Sequence, residues 1–314
     1  MNDSIMVSVI CCTYNHEKYI RDALEGFVMQ KTDFKYEVLV HDDASTDNTA
    51  NIIREYEAKF PDIIKPVYQT ENQYSKGVSV ARTYLFPHVH GKYIAYCEGD
   101  DYWTDENKLQ MQVGFLENNK DFIACTHNTI IQDQRSMQER LYYSIEDKEL
   151  TLDDVIQGSS KSYHTSSLLC IASYITSPPP WNSMIKGVGD FPLAIHLILS
   201  GKVMRFGKAM SLYRYGTPGS WTCRVYQNNE KYIKRMTESI KMLEEVNKAT
   251  NYKYEKNFKD IITYYEYLIR IRKNDYSEIK RKPYCDLFRK ETLEFRIKFI
   301  IRYYFPHIVK FFKK

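Results

Sequence analysis

The first hundred residues alternate between two hydrophobic periodicities, and no other feature limits the fold as much. Short apolar runs, Met6–Cys12, Tyr36–Val40, Ile64–Tyr68 and Lys92–Cys97, read as buried strands. The stretches between them have helical character. Glu17–Met29 places Tyr19, Ala23, Phe27 and Val28 at helical spacing. Thr46-Asp47-Asn48 offers N-cap chemistry for a helix running to Phe60, where Pro61 follows. Val78–Val89, with Pro87 near its end, predicts another helix. Strand and helix in strict alternation predict an α/β fold, a parallel sheet covered by helices.

Further along, Asn107–Asn118 is amphipathic, and Ile123–Ser177 is mixed and mostly strand-like. Pro178-Pro179-Pro180 is a stiff break. Gly189–Leu199 predicts a helix and Val203–Tyr215 a strand. Beyond Thr222 the chain turns to long helical runs rich in Lys, Tyr and Glu. The expected organisation is a domain over 1–222 and a helical, basic extension over 223–314. A length of 314 residues with 43% apolar and 27% charged residues is enough to bury such a core.

Composition narrows the setting. The seven Cys form no CxxC pair and several lie in apolar runs, so they read as reduced thiols of a cytoplasmic protein. Asn2-Asp3-Ser4 is not a basic leader, and no uncharged run is long enough to span a bilayer. Net charge is +4, and the segment Glu291–Lys314, with six Lys/Arg and two Glu, carries all of the excess. With no basic stripe elsewhere, nucleic acid is not an expected partner. In the tail, Leu293, Ile297, Ile300, Tyr304, Ile308 and Phe311 recur at three- and four-residue steps among basic residues. That pattern suits the surface of an anionic membrane, or packing against the catalytic domain or a second copy. Pro306 should bend or break the helix.

The chemistry lies where predicted strands end. Glu98-Gly99-Asp100-Asp101 sets three carboxylates in four residues after one strand, and Asp42-Asp43 follows another. Like charges this close need a cation or water. Two such clusters suit a metal-assisted site at the carboxyl edge of an open sheet. No GxGxxG or GxxxxGK[ST] follows a strand, which argues against dinucleotide oxidoreductases and P-loop enzymes.

Taken in order, these motifs resemble those of a family 2 glycosyltransferase of the GT-A fold. The match runs through Val7-Ser8-Val9-Ile10, Thr13-Tyr14-Asn15, Val40–Thr49, Glu98–Asp101, Lys108-Leu109-Gln110, Gly189–Leu193 and Tyr213-Arg214. It covers roughly residues 6–222, and bacterial surface-polysaccharide enzymes are the nearest type. The resemblance implies an open, mostly parallel twisted sheet, with a nucleotide-binding half over about 1–105 and an acceptor half over 106–222. It further implies an inverting transfer from a nucleotide-diphosphate sugar, usually UDP-linked, with Mn2+ or Mg2+. The acceptor would be a hydroxyl on a lipid-linked or surface glycan at the inner face of a membrane. A sugar nucleotidyltransferase or an inactive sugar-nucleotide-binding scaffold is the alternative.

Residue roles follow from the same resemblance. Asp101 matches the direct metal ligand and Asp100 a contact to the donor ribose or sugar. Glu98 stands where the family often has Asp. Asp43 would accept from a uracil N–H, and Asp42 would shape its turn; both acids equally suit the dipole of the helix that follows. Thr13, Tyr14 and Asn15 border the nucleotide, with Tyr14 against the base or in the core. Arg82 would face the donor, or be an exposed helix residue. Asp190 is the candidate general base, compatible with capping a helix. His164 and Thr165 would line the acceptor side or a strand edge, and Trp221 would cover the donor. Gly216 occupies the place of an additional His ligand found in many relatives. His88 and His90 read as non-metal.

Overall fold

The computed structural model describes residues 4–156, 162–184, 189–217, 220 and 225–305. The chain forms two compact units, Met1–Thr217 and Pro218–Lys314.

The first unit is built on one sheet. Its strands are β1 (Ile5–Thr13), β2 (Lys35–Asp42), β3 (Ile64–Tyr68), β4 (Tyr93–Tyr96), β5 (Tyr102–Trp103), β6 (Phe122–Asp133), β7 (Glu139–Leu141), β8 (Lys148–Glu149), β9 (Leu169–Ile171) and β10 (Lys202–Tyr215). Their main order is β3-β2-β1-β4-β9-β6-β10-β5. The first four strands pair in parallel, as does β6 with β10, whereas β9 runs antiparallel between β4 and β6. The sheet is therefore mixed. Parallel strands buried on both faces are mostly apolar, and the buried polar pair in them, Ser8 and Glu37, is hydrogen-bonded at 2.6 Å. Accordingly Val7, Val9, Cys11, Val38, Val40, Ile94 and Ala95 are all fully buried.

The helices of this unit are α1 (Ile20–Val28), α2 (Thr49–Lys59), α3 (Lys108–Asn118), α4 (Leu152–Ile156), α5 (Ala172–Thr176) and α6 (Asp190–Ser200). Helix α1 starts later than its periodicity suggests because Glu17 is tied elsewhere. Its N–H donates to Asp47 and its carboxylate accepts from the Asn48 N–H. The cap chemistry before α2 belongs to Asp47, whose Oδ1 accepts from the Thr49 N–H at 3.0 Å. The helix expected over 78–89 is instead a π-helical turn, Ala81–Leu85, and a 3-10 turn, Phe86–His88. Only Leu85 is buried there, so no apolar face holds a regular helix, and Pro87 supplies no N–H.

Glycine sets the approach of α1 to the sheet. A Cβ on Gly26 would lie 2.9 Å from the Trp103 carbonyl oxygen, so helix and strand touch backbone to backbone. Phe27 meets the Trp103 ring edge-on at 5.0 Å.

The second unit contains α7 (Asn229–Ala249), α8 (Glu255–Lys273), α9 (Tyr276–Ile279), α10 (Tyr284–Lys290) and α11 (Leu293–Tyr304). Tyr267, Ile279, Tyr284, Phe288 and Phe299 make a core there. Among the described residues, no helix is long and apolar enough to cross a membrane.

Candidate active site

The order β2-β1-β4 brings three carboxyl ends side by side. Thr13 is in register with Asp42, the Asp43 N–H donates to the Thr13 carbonyl at 3.0 Å, and the Gly99 N–H donates to the Cys12 carbonyl at 3.1 Å. Acids distant in sequence thus stand together at one sheet edge, where open α/β sheets bind ligands.

On the β2 side the two acids divide their work. Asp42 takes the Ser45 hydroxyl on Oδ1 at 2.5 Å and shapes the turn. Asp43, 3% exposed, accepts from the Gln73 N–H at 2.8 Å and the Tyr74 N–H at 3.0 Å, so it organises the following loop. Each carboxylate oxygen keeps a further lone pair. Asn15, at φ 55°, accepts from the Thr46 N–H at 2.8 Å and bridges the two loops. Tyr14 is 42% exposed and is therefore not a core residue.

Between these strands, polar atoms lack partners. Thr13 Oγ1 and His16 Nδ1 are buried and make no hydrogen bond. A Cβ at position 99 would fall 2.8 Å from that Oγ1 and 3.1 Å from that Nδ1, so Gly99 keeps their space open. Buried polar atoms without partners are rare and call for an explanation, and a ligand is one. His41, fully buried and stacked on Tyr84 at 5.4 Å, also has both ring nitrogens unpartnered. Nothing in the chain's periodicity marks it.

The strand that follows the acid loop is held by a buried polar network. The Trp103 indole N–H donates to the Ser166 carbonyl at 2.8 Å. Lys108 Nζ sits 3.9 Å over the Trp103 ring and donates to Gln112, whose amide donates to the Ser167 carbonyl at 2.9 Å. Burial pushes the Lys108 ammonium down to about 7.

In the loop itself, the carboxylates interact. Burial, and then the Asp100 charge, push Glu98 up to about 8, and Asp190 adds to the effect. Burial and Asp100 also raise Asp101, against the pull of Arg214. Asp190 opens α6 as its first residue, and its Oδ1 accepts from the Phe191 N–H at 2.8 Å. An acid of the second sequence half thus lies near enough to act on Glu98.

Asp101 is 4% exposed. Its Oδ1 accepts from the Arg214 N–H at 3.0 Å, and its Oδ2 lies 3.7 Å from His164 Nε2. His164 stacks on Tyr213 at 4.2 Å, and burial lowers it to about 3. It thus belongs beside the acid loop, while Thr165 starts the adjoining 3-10 turn. Arg214 donates to the Asp100 carbonyl at 2.8 Å and pairs with Asp22. The Tyr19 and Tyr102 rings lie 5.1 and 4.7 Å from its guanidinium. Sequence reasoning missed this bracing role, although Tyr213-Arg214 was a visible motif. Arg82 is exposed on the π-helical turn. Trp221 lies outside the described residues.

A curled mixed sheet with helices around it and acids gathered at its carboxyl edge is the GT-A arrangement, the fold of sugar-nucleotide transferases. The model for "Glycosyl transferase family 2" matches residues 8–169, and the chain belongs to that family. The uncharacterized protein Rv1520 of Mycobacterium tuberculosis is 32% identical over 72% of this chain and 63% of its own length. The chain therefore spans less than two thirds of that relative. The Escherichia coli UDP-Glc:alpha-D-GlcNAc-diphosphoundecaprenol beta-1,3-glucosyltransferase WfgD is 34% identical over 41% of this chain and 48% of its own. Among solved structures, S. aureus TarS in complex with UDP-GlcNAc covers 92% of this chain and 77% of its own, at TM-score 0.60 and 20% identity. The mannosyltransferase PcManGT of Pyrobaculum calidifontis, in complex with GDP-Man and Mn2+, covers 98% and 89%, at TM-score 0.52 and 15% identity. At such identity the structures speak for the fold alone.

Proposed function

We propose that this chain transfers a sugar from a nucleoside-diphosphate donor, UDP-linked, to an acceptor hydroxyl with inversion, using Mn2+ or Mg2+. The observation that carries the reading is the crowding of Glu98, Asp100 and Asp101 in one buried loop, with the unpartnered Thr13 and His16 atoms next to Gly99. Carboxylates forced together against their repulsion are the donor set of a hard divalent cation. Among the described residues, no three His, Cys, Asp or Glu side chains already form a metal site. Asp101 would hold the cation through Oδ2, with the His164 imidazole beside that oxygen. When bound, the cation supplies Lewis-acid stabilisation of the diphosphate leaving group.

The chain's own residues do the rest. Asp43 accepts from the uracil N–H with its remaining lone pair. Thr13, Tyr14 and Asn15 border the base, Asp100 contacts the donor sugar or ribose, and Arg82 approaches the phosphates. Asp190 takes the proton of the acceptor hydroxyl as its oxygen attacks the anomeric carbon. Its place at the start of α6, close enough to raise Glu98, supports that role. Thr165, next to His164, serves the acceptor side. We place the catalytic domain at 1–222, with 1–105 serving the nucleotide and 106–222 the acceptor, and the extension at 223–314. The name of the Escherichia coli relative supports a lipid-linked acceptor. Such an acceptor would put the enzyme in the cytoplasm at the inner membrane face.

A panel of nucleotide sugars, assayed for release of nucleoside diphosphate with and without Mn2+, tests the reading. Metal-dependent release from one or a few UDP-sugars is expected. Donor binding without release would favour an inactive scaffold, and pyrophosphate-dependent release of the sugar phosphate a nucleotidyltransferase.

A further inference from the structure

Helix α11 has two apolar faces, and among the described residues only one of them is packed into the core. Phe299, 3% exposed, packs into the core made by Tyr267, Ile279, Tyr284 and Phe288. Phe295 stacks on it at 6.1 Å. Thr292 caps the helix by accepting the Phe295 N–H at 3.2 Å. The helix is thus anchored without help from its other face. On that face Leu293, Ile297 and Ile301 are 65%, 48% and 39% exposed. They recur at steps of four residues and form one stripe, while Tyr304 beside them meets the Tyr276 ring edge-on at 6.0 Å. Ile300, expected in the stripe from its spacing, is half-buried instead, and Ile301 takes its place.

Charge says what would cover the stripe. Arg296 stands on one side of it and the Glu294–Lys298 pair on the other, with Arg302 farther round the helix. Glu294 is the acid of this helix and is paired with Lys298. The sequence continues to Lys314 with Lys310, Lys313 and Lys314 and no further acid. Ile308 and Phe311, the rest of the expected pattern, lie outside the described residues.

We infer that this face of α11 docks on an anionic lipid surface. A second copy of the chain is the poorer occupant. A twelve-residue helix is roughly 18 Å long, so a stripe about 10 Å wide offers on the order of 200 Å². A stable interface needs roughly 800 Å² from each partner. Basic flanks would also face each other in a symmetric pair. A bilayer has neither requirement, because apolar side chains enter the acyl boundary while basic ones stay with anionic headgroups. The inference rests on the lipid-linked acceptor for its biological sense, and on α11 for its geometry.

The test floats the full chain with phosphatidylglycerol/phosphatidylcholine vesicles and with phosphatidylcholine alone. Wild type should float with the anionic vesicles and far less with the neutral ones. High salt should weaken that binding without abolishing it. The combined change Leu293→Ser, Ile297→Ser, Ile301→Ser should cut flotation at least tenfold, with the thermal melt and vesicle-free donor hydrolysis unchanged. Equal flotation of the variant overturns the inference. So does a wild-type dimer that the variant converts to monomer. Donor hydrolysis reads the enzymatic proposal separately: flotation without hydrolysis would sink that proposal and leave the surface standing.

Discussion

Replacing Glu98 with Gln should make the metal-free protein more stable at pH 8, an unusual outcome for removing a charged residue. Burial and the Asp100 charge raise Glu98 from 4.5 to about 8 in the fold. An acid whose folded pKa is raised holds its proton more tightly in the native than in the unfolded state. Stability therefore falls as pH climbs from about 4.5 to about 8 and is flat beyond. At about 1.4 kcal/mol for each tenfold change, that interval sets a ceiling of about 5 kcal/mol. Gln keeps the shape and removes the slope. For a unit of this size about 2–4 °C accompanies each kcal/mol, so the gain is capped at roughly 10–20 °C. The assay is a set of thermal melts from pH 4.5 to 8 in EDTA, repeated with Mn2+. Wild type should lose stability with pH in EDTA and recover it with Mn2+, whereas Glu98→Gln should show a shallower slope and a smaller response to metal. If wild type and variant decline in parallel, Glu98 is solvated and the electrostatic account of the site is wrong.

Other expectations follow from the same geometry. Asp101→Asn should remove most metal-dependent turnover while the fold stays intact, checked by nucleoside diphosphate release and circular dichroism; unchanged Mn2+ dependence would exclude Asp101 as a ligand. Asp190→Asn should slow the chemical step at least tenfold with donor affinity little altered, as read by single-turnover kinetics and donor titration. Arg214→Met should cost about 2–4 kcal/mol, from a charge-assisted bond to the Asp100 carbonyl and two ring contacts, and urea melts would show it. Gly26→Ala should destabilise by about 1–2 kcal/mol, because the clash with the Trp103 carbonyl outweighs the gain in helix propensity; a more stable variant would mean that α1 can move.

The sheet was legible because central parallel strands have one requirement, continuous burial, and runs such as Val7–Ile10 and Val38–Val40 show it openly. Segment 78–89 misled because Ala, Leu and Phe fit helical spacing although only Leu85 finds a core. The acids of the loop were visible through their mutual repulsion, and Asp190 through the resemblance of Gly189–Leu193 to the family's motif. Their bracing was not. Arg214 reaches Asp100 across 114 residues, and His164 meets Asp101 only because β9 lies between β4 and β6. Local periodicity says nothing about which strand will slot between two others, so contacts created by that choice stay hidden until the sheet order is known.

The supports around the acid loop have a consequence for how the site meets its ligand. The Trp103 indole and the close seat of Gly26, just after the loop that presents Glu98, Asp100 and Asp101, carry no net charge, and the charged Arg214 reaches that loop through the Asp100 carbonyl and the Asp101 carboxylate's bond to its backbone N–H. Neither ionic strength nor the protonation of those acids alters the uncharged contacts. The loop should keep one shape before, during and after each turnover, so that binding spends little energy on arranging the site. A protein that must be ready for a cation it holds only briefly gains from storing the geometry in parts the cation never touches.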